Sequence, residues 1–156
     1  MTTEAQPTLR VHIQELPARN VVCLTCQLDQ VSGQFSTQIA EGFAQVKRWS
    51  EQPDQALAEH LIIGIPHVVE RQLIGYDCCV ESPHTAVPLP PGWRIKQLPA
   101  GRYAVLSLEK DSAAIGERIG QFFAEYVPQY QLILDATRPS YEVYYAQTMD
   151  YCVPIE

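Results

Sequence analysis

Basic residues are few in this chain. Eleven Lys and Arg stand against eighteen Asp and Glu, a net charge of −7. Non-specific nucleic-acid binding needs a basic surface to neutralise phosphates, so direct nucleic-acid binding is not expected. Long apolar runs are missing too. None approaches the roughly 18 residues of a membrane span, so no membrane association is expected. Met1-Thr2-Thr3-Glu4-Ala5-Gln6-Pro7 has neither the basic n-region nor the apolar h-region of a secretory leader, which points to the cytoplasm. The chain has no P-loop, no G-x-G-x-x-G and no H-E-x-x-H. It also lacks the G-x-S-x-G of a nucleophile elbow. Four histidines, His12, His60, His67 and His84, are scattered and read as surface or loop residues rather than a catalytic set. No cofactor and no metal site are expected. An acidic chain of this kind suits a cavity that attracts cations, or docking on a basic protein partner.

The five cysteines are an odd number, and Cys78 and Cys79 are adjacent. Cys23-Leu24-Thr25-Cys26 has the spacing of a metal or redox pair. No second pair and no nearby histidine complete a zinc set. Most of these thiols sit in apolar, strand-like runs, so the reading is buried reduced cysteines in a reducing compartment.

The chain does contain a repeat. Ile13-Gln14-Glu15-Leu16-Pro17-Ala18 returns 82 positions later (13 to 95) as Ile95-Lys96-Gln97-Leu98-Pro99-Ala100, and Leu24 returns as Leu106. Asp77-Cys78-Cys79-Val80 is echoed 73 positions later (79 to 152) by Asp150-Tyr151-Cys152-Val153. Internal self-similarity of this kind sets the architecture before any local reading does. It implies one domain over 1–156, with a first repeat at 9–82, a Pro-rich linker at 83–92 and a second repeat at 93–156. The seam between two such halves is the natural place for a ligand.

Local patterns agree with two similar halves. Leu9 to Ile13 and Val21 to Leu28 read as strands, interrupted where Pro17 removes a ladder donor. Ser32 is a helix cap, and Phe35, Ile39, Phe43, Val46 and Trp49 form one apolar helical face. Pro53-Asp54 starts a short helical turn through about His60. Leu61 to Ile65 and Gly75 to Val80 are strands. The second half repeats the order, with strands at Arg94–Leu98 and Arg102–Leu108 and a cap at Asp111 or Ser112. A helix follows, carrying Ile115, Ile119, Phe122, Phe123 and Tyr126, with strands at Tyr141–Tyr145 and Tyr151–Ile155. Either half alone would leave an open sheet edge and a naked sheet face. Helices on one side of an antiparallel sheet make this an α+β fold, with a curved sheet and a central groove.

Glu142 is the residue that stands out. It lies mid-strand in Ser140-Tyr141-Glu142-Val143-Tyr144-Tyr145, the most aromatic window of the chain. A carboxylate in apolar surroundings must be paired or hydrogen-bonded. Alternation puts Ser140, Glu142 and Tyr144 on one face and Tyr141, Val143 and Tyr145 on the other. Val143 suits the face covered by the helix, so Glu142 is expected to look away from it. The bland alternative is a solvated Glu142, or one paired with Arg102 or Arg138. Eight tyrosines favour strands in any case. Rings around one carboxylate would nonetheless suit a flat organic cation.

Leu98-Pro99-Ala100-Gly101-Arg102-Tyr103-Ala104-Val105 resembles the opening of the second repeat of GyrI-like small-molecule-binding domains. Phe122-Phe123-Ala124-Glu125-Tyr126-Val127-Pro128 resembles their helix end, Pro139 to Tyr144 their glutamate strand, and Asp150 to Ile155 their closing strand. Gly64-Ile65-Pro66-His67 and Tyr76 to Val80 resemble the corresponding hairpin of the first half. The resemblance implies two pseudo-symmetric strand-helix-strand-strand modules around a groove for hydrophobic, often cationic, small molecules. By position it puts Glu142 in that groove, and Tyr76, Tyr103, Tyr126, Tyr144, Tyr151 and His67 are the other candidate lining residues. Such domains occur as effector modules beside a DNA-binding helix-turn-helix, as stand-alone proteins like the DNA gyrase inhibitory protein, and as hydrolases of cyclopropane-bearing natural products. A repeat starting by Leu9 leaves no room for a preceding helix-turn-helix, so a stand-alone bacterial module that binds an effector or toxin is expected. Gyrase is a conceivable protein partner, and Glu142 the catalytic group if water is added to a strained electrophile. The segment Glu109-Lys110-Asp111-Ser112 departs from the glycine-containing turn that relatives often carry there.

Overall fold

The computed structural model describes residues 9–27, 35–51, 61–70, 72–81, 89–110 and 115–156. The element order is β1 Arg10–Leu16, β2 Arg19–Gln27, α1 Phe35–Ser50, β3 Ile62–Val69, β4 Gln72–Glu81, β5 Arg94–Leu98, β6 Gly101–Glu109, α2 Ile115–Gln121, β7 Tyr141–Tyr144 and β8 Thr148–Pro154. A π-helical turn, Phe122–Tyr126, and a last α-turn, Val127–Gln129, continue α2. The caps proposed at Ser32, Asp111 and Ser112 lie outside the described residues. So do the turn from Pro53 to His60, most of the Pro-rich linker, and His84.

Eight antiparallel strands form one curled sheet in the order β1-β6-β8-β7-β3-β4-β2-β5. The order is a palindrome of the two repeats. β7-β8-β6 mirrors β3-β4-β2, and each outer strand comes from the other half. β1 pairs with β6, and β5 pairs with β2. The Leu-Pro-Ala segments are the points where the chain leaves one half for the other. A proline there cannot donate to a ladder, so the strand ends and its successor finds a new partner. At the second crossing Gly101 takes φ 151°, a backbone that L side chains rarely adopt.

The sheet has two apolar faces. Inside its curl, Val21, Cys23, Ile63, Ile65, Cys79, Leu98, Tyr103, Val105, Tyr141, Val143 and Cys152 pack on one another. Among the described residues, no helix residue belongs to this core. On the outer face α1 packs Ile39, Phe43 and Val46 against Tyr76 and Cys78. The second helical segment packs Ile115, Ile119 and Phe122 against Leu106, Leu108 and Met149. The expected α+β fold, a curved antiparallel sheet with helices on one side, is what the chain adopts.

Strand alternation also settles the Cys23-x-x-Cys26 pair. Residues three apart on a strand point to opposite faces. Cys23 enters the inner core, whereas Cys26 joins the helix-side cluster, 4.0 Å from Cys78 in Sγ–Sγ distance. The two cannot close on one metal. All five cysteines are free thiols, and burial pushes those of Cys26, Cys78, Cys79 and Cys152 up, that of Cys152 to about 12. No helix among the described residues is long and apolar enough to cross a membrane.

Candidate functional site

The halves meet at β3 and β7, where Ile63 faces Val143 and Gly64 faces Glu142. In β4 and β8, Cys79 corresponds to Cys152, and their partners across the hairpins are Ile63 and Tyr141. Gly64 and Glu142 therefore occupy equivalent positions in the two repeats. They also face each other directly, so the pseudo-twofold axis passes between them. One repeat supplies a carboxylate at the axis and the other supplies a hole.

Tyr76 fills the hole. Its hydroxyl donates to Glu142 Oε1 at 2.5 Å and lies 2.8 Å from the Tyr144 hydroxyl. Tyr144 in turn reaches the same Oε1 at 3.1 Å. A Cβ on Gly64 would collide with the Tyr76 ring, with Cζ only 2.6 Å away. The glycine is needed for this close approach rather than for backbone freedom. Phe43 of α1 sets its ring edge on both tyrosines, with centroids at 5.7 and 5.4 Å. On the other flank Tyr151, the cross-strand partner of Glu142, meets Phe123 of the π-turn at 6.4 Å. The extra residue of a π-turn re-aims side chains and recurs at functional sites. Here it leaves Phe122 fully buried while Phe123 is 36% exposed beside Tyr151.

Glu142 therefore faces the helices, which corrects the expected orientation. Val143 and Tyr141 belong to the inner core, because the inside of the curl is itself apolar. Glu142 pairs with neither candidate arginine: Arg138 binds Asp135 at 2.9 Å and Arg102 reaches the Glu156 carbonyl. Of the tyrosines named from sequence, Tyr76, Tyr144 and Tyr151 gather around Glu142. Tyr103 does not. It lies in the inner core at 0% exposure, its hydroxyl donates to the Pro99 carbonyl at 2.6 Å, and Arg138 lies over its ring. Tyr126 stays in the helix layer, stacked on Phe122 and Tyr130. His67 lies on the inner face, 3.0 Å from Asp77. Sequence reasoning passed over Phe43, Phe123 and Gly64. The first two read as ordinary helix core, and a lone glycine carried no signal without the register.

Burial raises the Glu142 carboxyl above the ordinary carboxylate range, and the hydrogen bonds from Tyr76 and Tyr144 only partly offset this. Burial and the neighbouring Glu142 push both phenols up as well, so they stay protonated and act as donors. Both donors converge on Oε1, and Oε2 accepts from no described side chain. A desolvated carboxylate with one open oxygen and aromatic walls favours a cation that brings no strong hydration of its own. The raised value also makes a stability prediction. A carboxyl raised on folding supports the fold while protonated and loses that support as pH rises through its folded value. Glu142→Gln is thus expected to raise the melting temperature at pH 7, with the gain vanishing below about pH 4. Thermal unfolding at both pH values checks it.

The model of the GyrI-like small molecule binding domain matches residues 10–156. The chain belongs to this family. Solved structures share the fold of this GyrI-like domain at low identity. The EcmrR C-terminal domain superposes with a TM-score of 0.72 at 10% identity, over 95% of this chain and 98% of that one. SAV2435 bound to tetraphenylphosphonium gives 0.61 at 16% identity, over 94% of each chain. A hydrolase from Listeria innocua gives 0.62 at 10% identity, over 97% of this chain and 94% of that one. No curated protein matches this sequence. The family is one of small molecule binding domains.

Proposed function

We propose that this GyrI-like domain reversibly captures a hydrophobic organic cation between α1 and the π-turn, as an effector- or toxin-binding module. Glu142 is the countercharge, Tyr76 and Tyr144 hold it, and Phe43, Phe123 and Tyr151 are the walls. The observation that carries the reading is the Glu142 carboxylate itself. It is desolvated, fixed through Oε1 by two phenols, and surrounded by rings, with no cationic side chain paired to it among the described residues. The neighbour SAV2435, solved with tetraphenylphosphonium, supplies the probe. Titration with tetraphenylphosphonium should show saturable binding, weakened by about 10- to 100-fold in Glu142→Gln. Unchanged affinity in that variant would sink the assignment.

A second reading has the same carboxylate activate water toward a strained electrophile. It rests on the raised carboxyl, which makes Glu142 a stronger base. Mass spectrometry separates the two. Capture returns the ligand unchanged, whereas hydrolysis adds one water per molecule.

A further inference from the structure

Asp77 is fully buried, yet three polar side chains reach it. It lies on the inner face of β4, opposite the Glu142 side of the sheet. Thr25 of β2 donates to Oδ1 at 2.7 Å, His67 Nε2 of β3 lies 3.0 Å from Oδ1, and Lys96 of β5 binds Oδ2. Burial alone would raise this carboxyl, but the bonds from Lys96, Thr25 and His67 hold it below the ordinary range. Above this cluster opens a cavity of about 490 Å³ lined by Thr25, Gln27, His67, Ile74, Arg94 and Lys96, with Cys26 and Gly75.

The other repeat contains the same frame. Ser107 and Asp150 are paired across β6 and β8 as Thr25 and Asp77 are across β2 and β4, with Ser107 donating to Asp150 at 3.1 Å. Tyr145 takes the place of His67 beside that carboxylate. The offset of the first echo puts Gln14 at the position of Lys96 and His12 at that of Arg94. The equivalent positions of the second frame thus carry no lysine or arginine. Arg94 and Lys96, carried on β5 from the second repeat, stand beside the first repeat's frame alone. Lys96 is spoken for by Asp77, but Arg94 makes no ion pair among the described residues. Among the described residues, none of the side chains lining the cavity is a carboxylate.

We propose that this cavity is a second ligand site, distinct from the Glu142 groove, which takes a small organic oxyanion. Arg94 is the principal contact, since its planar fork matches a carboxylate or a phosphate. Lys96 adds its remaining N–H donors, and Asp77 orients Lys96 and His67 from below. The Ile74 side chain, 44% exposed at the wall, receives an apolar tail. The proposal does not depend on cation capture at Glu142, because the sheet separates the two sites.

Sodium hexanoate and sodium phosphate, titrated separately against sodium chloride at matched ionic strength, test it by amide NMR. Saturable shifts at Thr25, Gly75 and Lys96 are expected with at least one of the two, and the arm that saturates assigns carboxylates or phosphates. Arg94→Gln should weaken that binding by about tenfold or more, and Arg94→Lys should weaken it less. Neither change should alter tetraphenylphosphonium binding. Shifts that match chloride with both probes, or binding that survives Arg94→Gln, would overturn the site. Loss of the anion shifts in Glu142→Gln would overturn it too, by placing the anion in the groove.

Discussion

Gly64→Val should both destabilise this GyrI-like domain and abolish cation binding. The new side chain would occupy the space of the Tyr76 ring, whose Cζ lies 2.6 Å from a Cβ at that position. Tyr76 is only 4% exposed and is packed against α1, so it has no vacant rotamer to enter. Overpacking of this kind costs about 1–3 kcal/mol. Displacing the hydroxyl also removes the 2.5 Å hydrogen bond to Glu142, and an under-satisfied buried group adds about 1–3 kcal/mol. Urea unfolding measures the sum, and tetraphenylphosphonium titration reads the site. Gly116 is the control. A Cβ there meets nothing within 4 Å, so Gly116→Ala in α2 should stabilise by about 0.5–1 kcal/mol. A Gly64→Val protein with ordinary stability and ordinary cation affinity would show that Tyr76 does not hold the carboxylate.

The second large effect is expected for Lys96→Met. Asp77 is fully buried and Lys96 is its permanent countercharge. Removing one partner of a buried pair leaves an uncompensated charge, at a cost of about 3–5 kcal/mol. Methionine retains the apolar stem, so packing is largely preserved. Thr25 and His67 then remain as its side-chain partners among the described residues. The Asp77 carboxyl is lowered by folding, so its contribution is present above the ordinary carboxylate value and lost as pH falls below about 4. Urea unfolding of Lys96→Met at pH 7 measures the loss, and a variant as stable as the parent would show that Asp77 does not depend on Lys96.

The two sites use one architectural device differently. At the axis the repeats diverge into Glu142 and Gly64, so a single carboxylate takes the place of a repelling pair. Away from the axis the hydroxyl–carboxylate frames are kept in both halves, and Arg94 and Lys96 stand beside only one. Pseudo-symmetry supplies matched positions, and the chemistry follows from breaking the match.

Much of this was present in the residues before any coordinate. The Leu-Pro-Ala echo and the Asp-Cys-Cys-Val echo determined that the chain has two similar halves. Apolar periodicity determined both helices and most strands, because burial repeats every 3.6 or 2 residues. An isolated carboxylate among aromatics singled out Glu142 as a candidate. Tertiary structure decided the rest. Alternation defines two faces of a strand but not which one meets a helix, and here both faces are apolar because the sheet curls on itself. That is why Glu142 was expected on the wrong side, and why Tyr103 looked like a wall and is core. The exchange of β1 and β5 between halves has no local signature, since an outer strand pairs equally well in pattern with either partner. Thr25, His67, Asp77 and Lys96 come from four strands. Only the register of those strands brings a buried carboxylate, its cations and a cavity to one place.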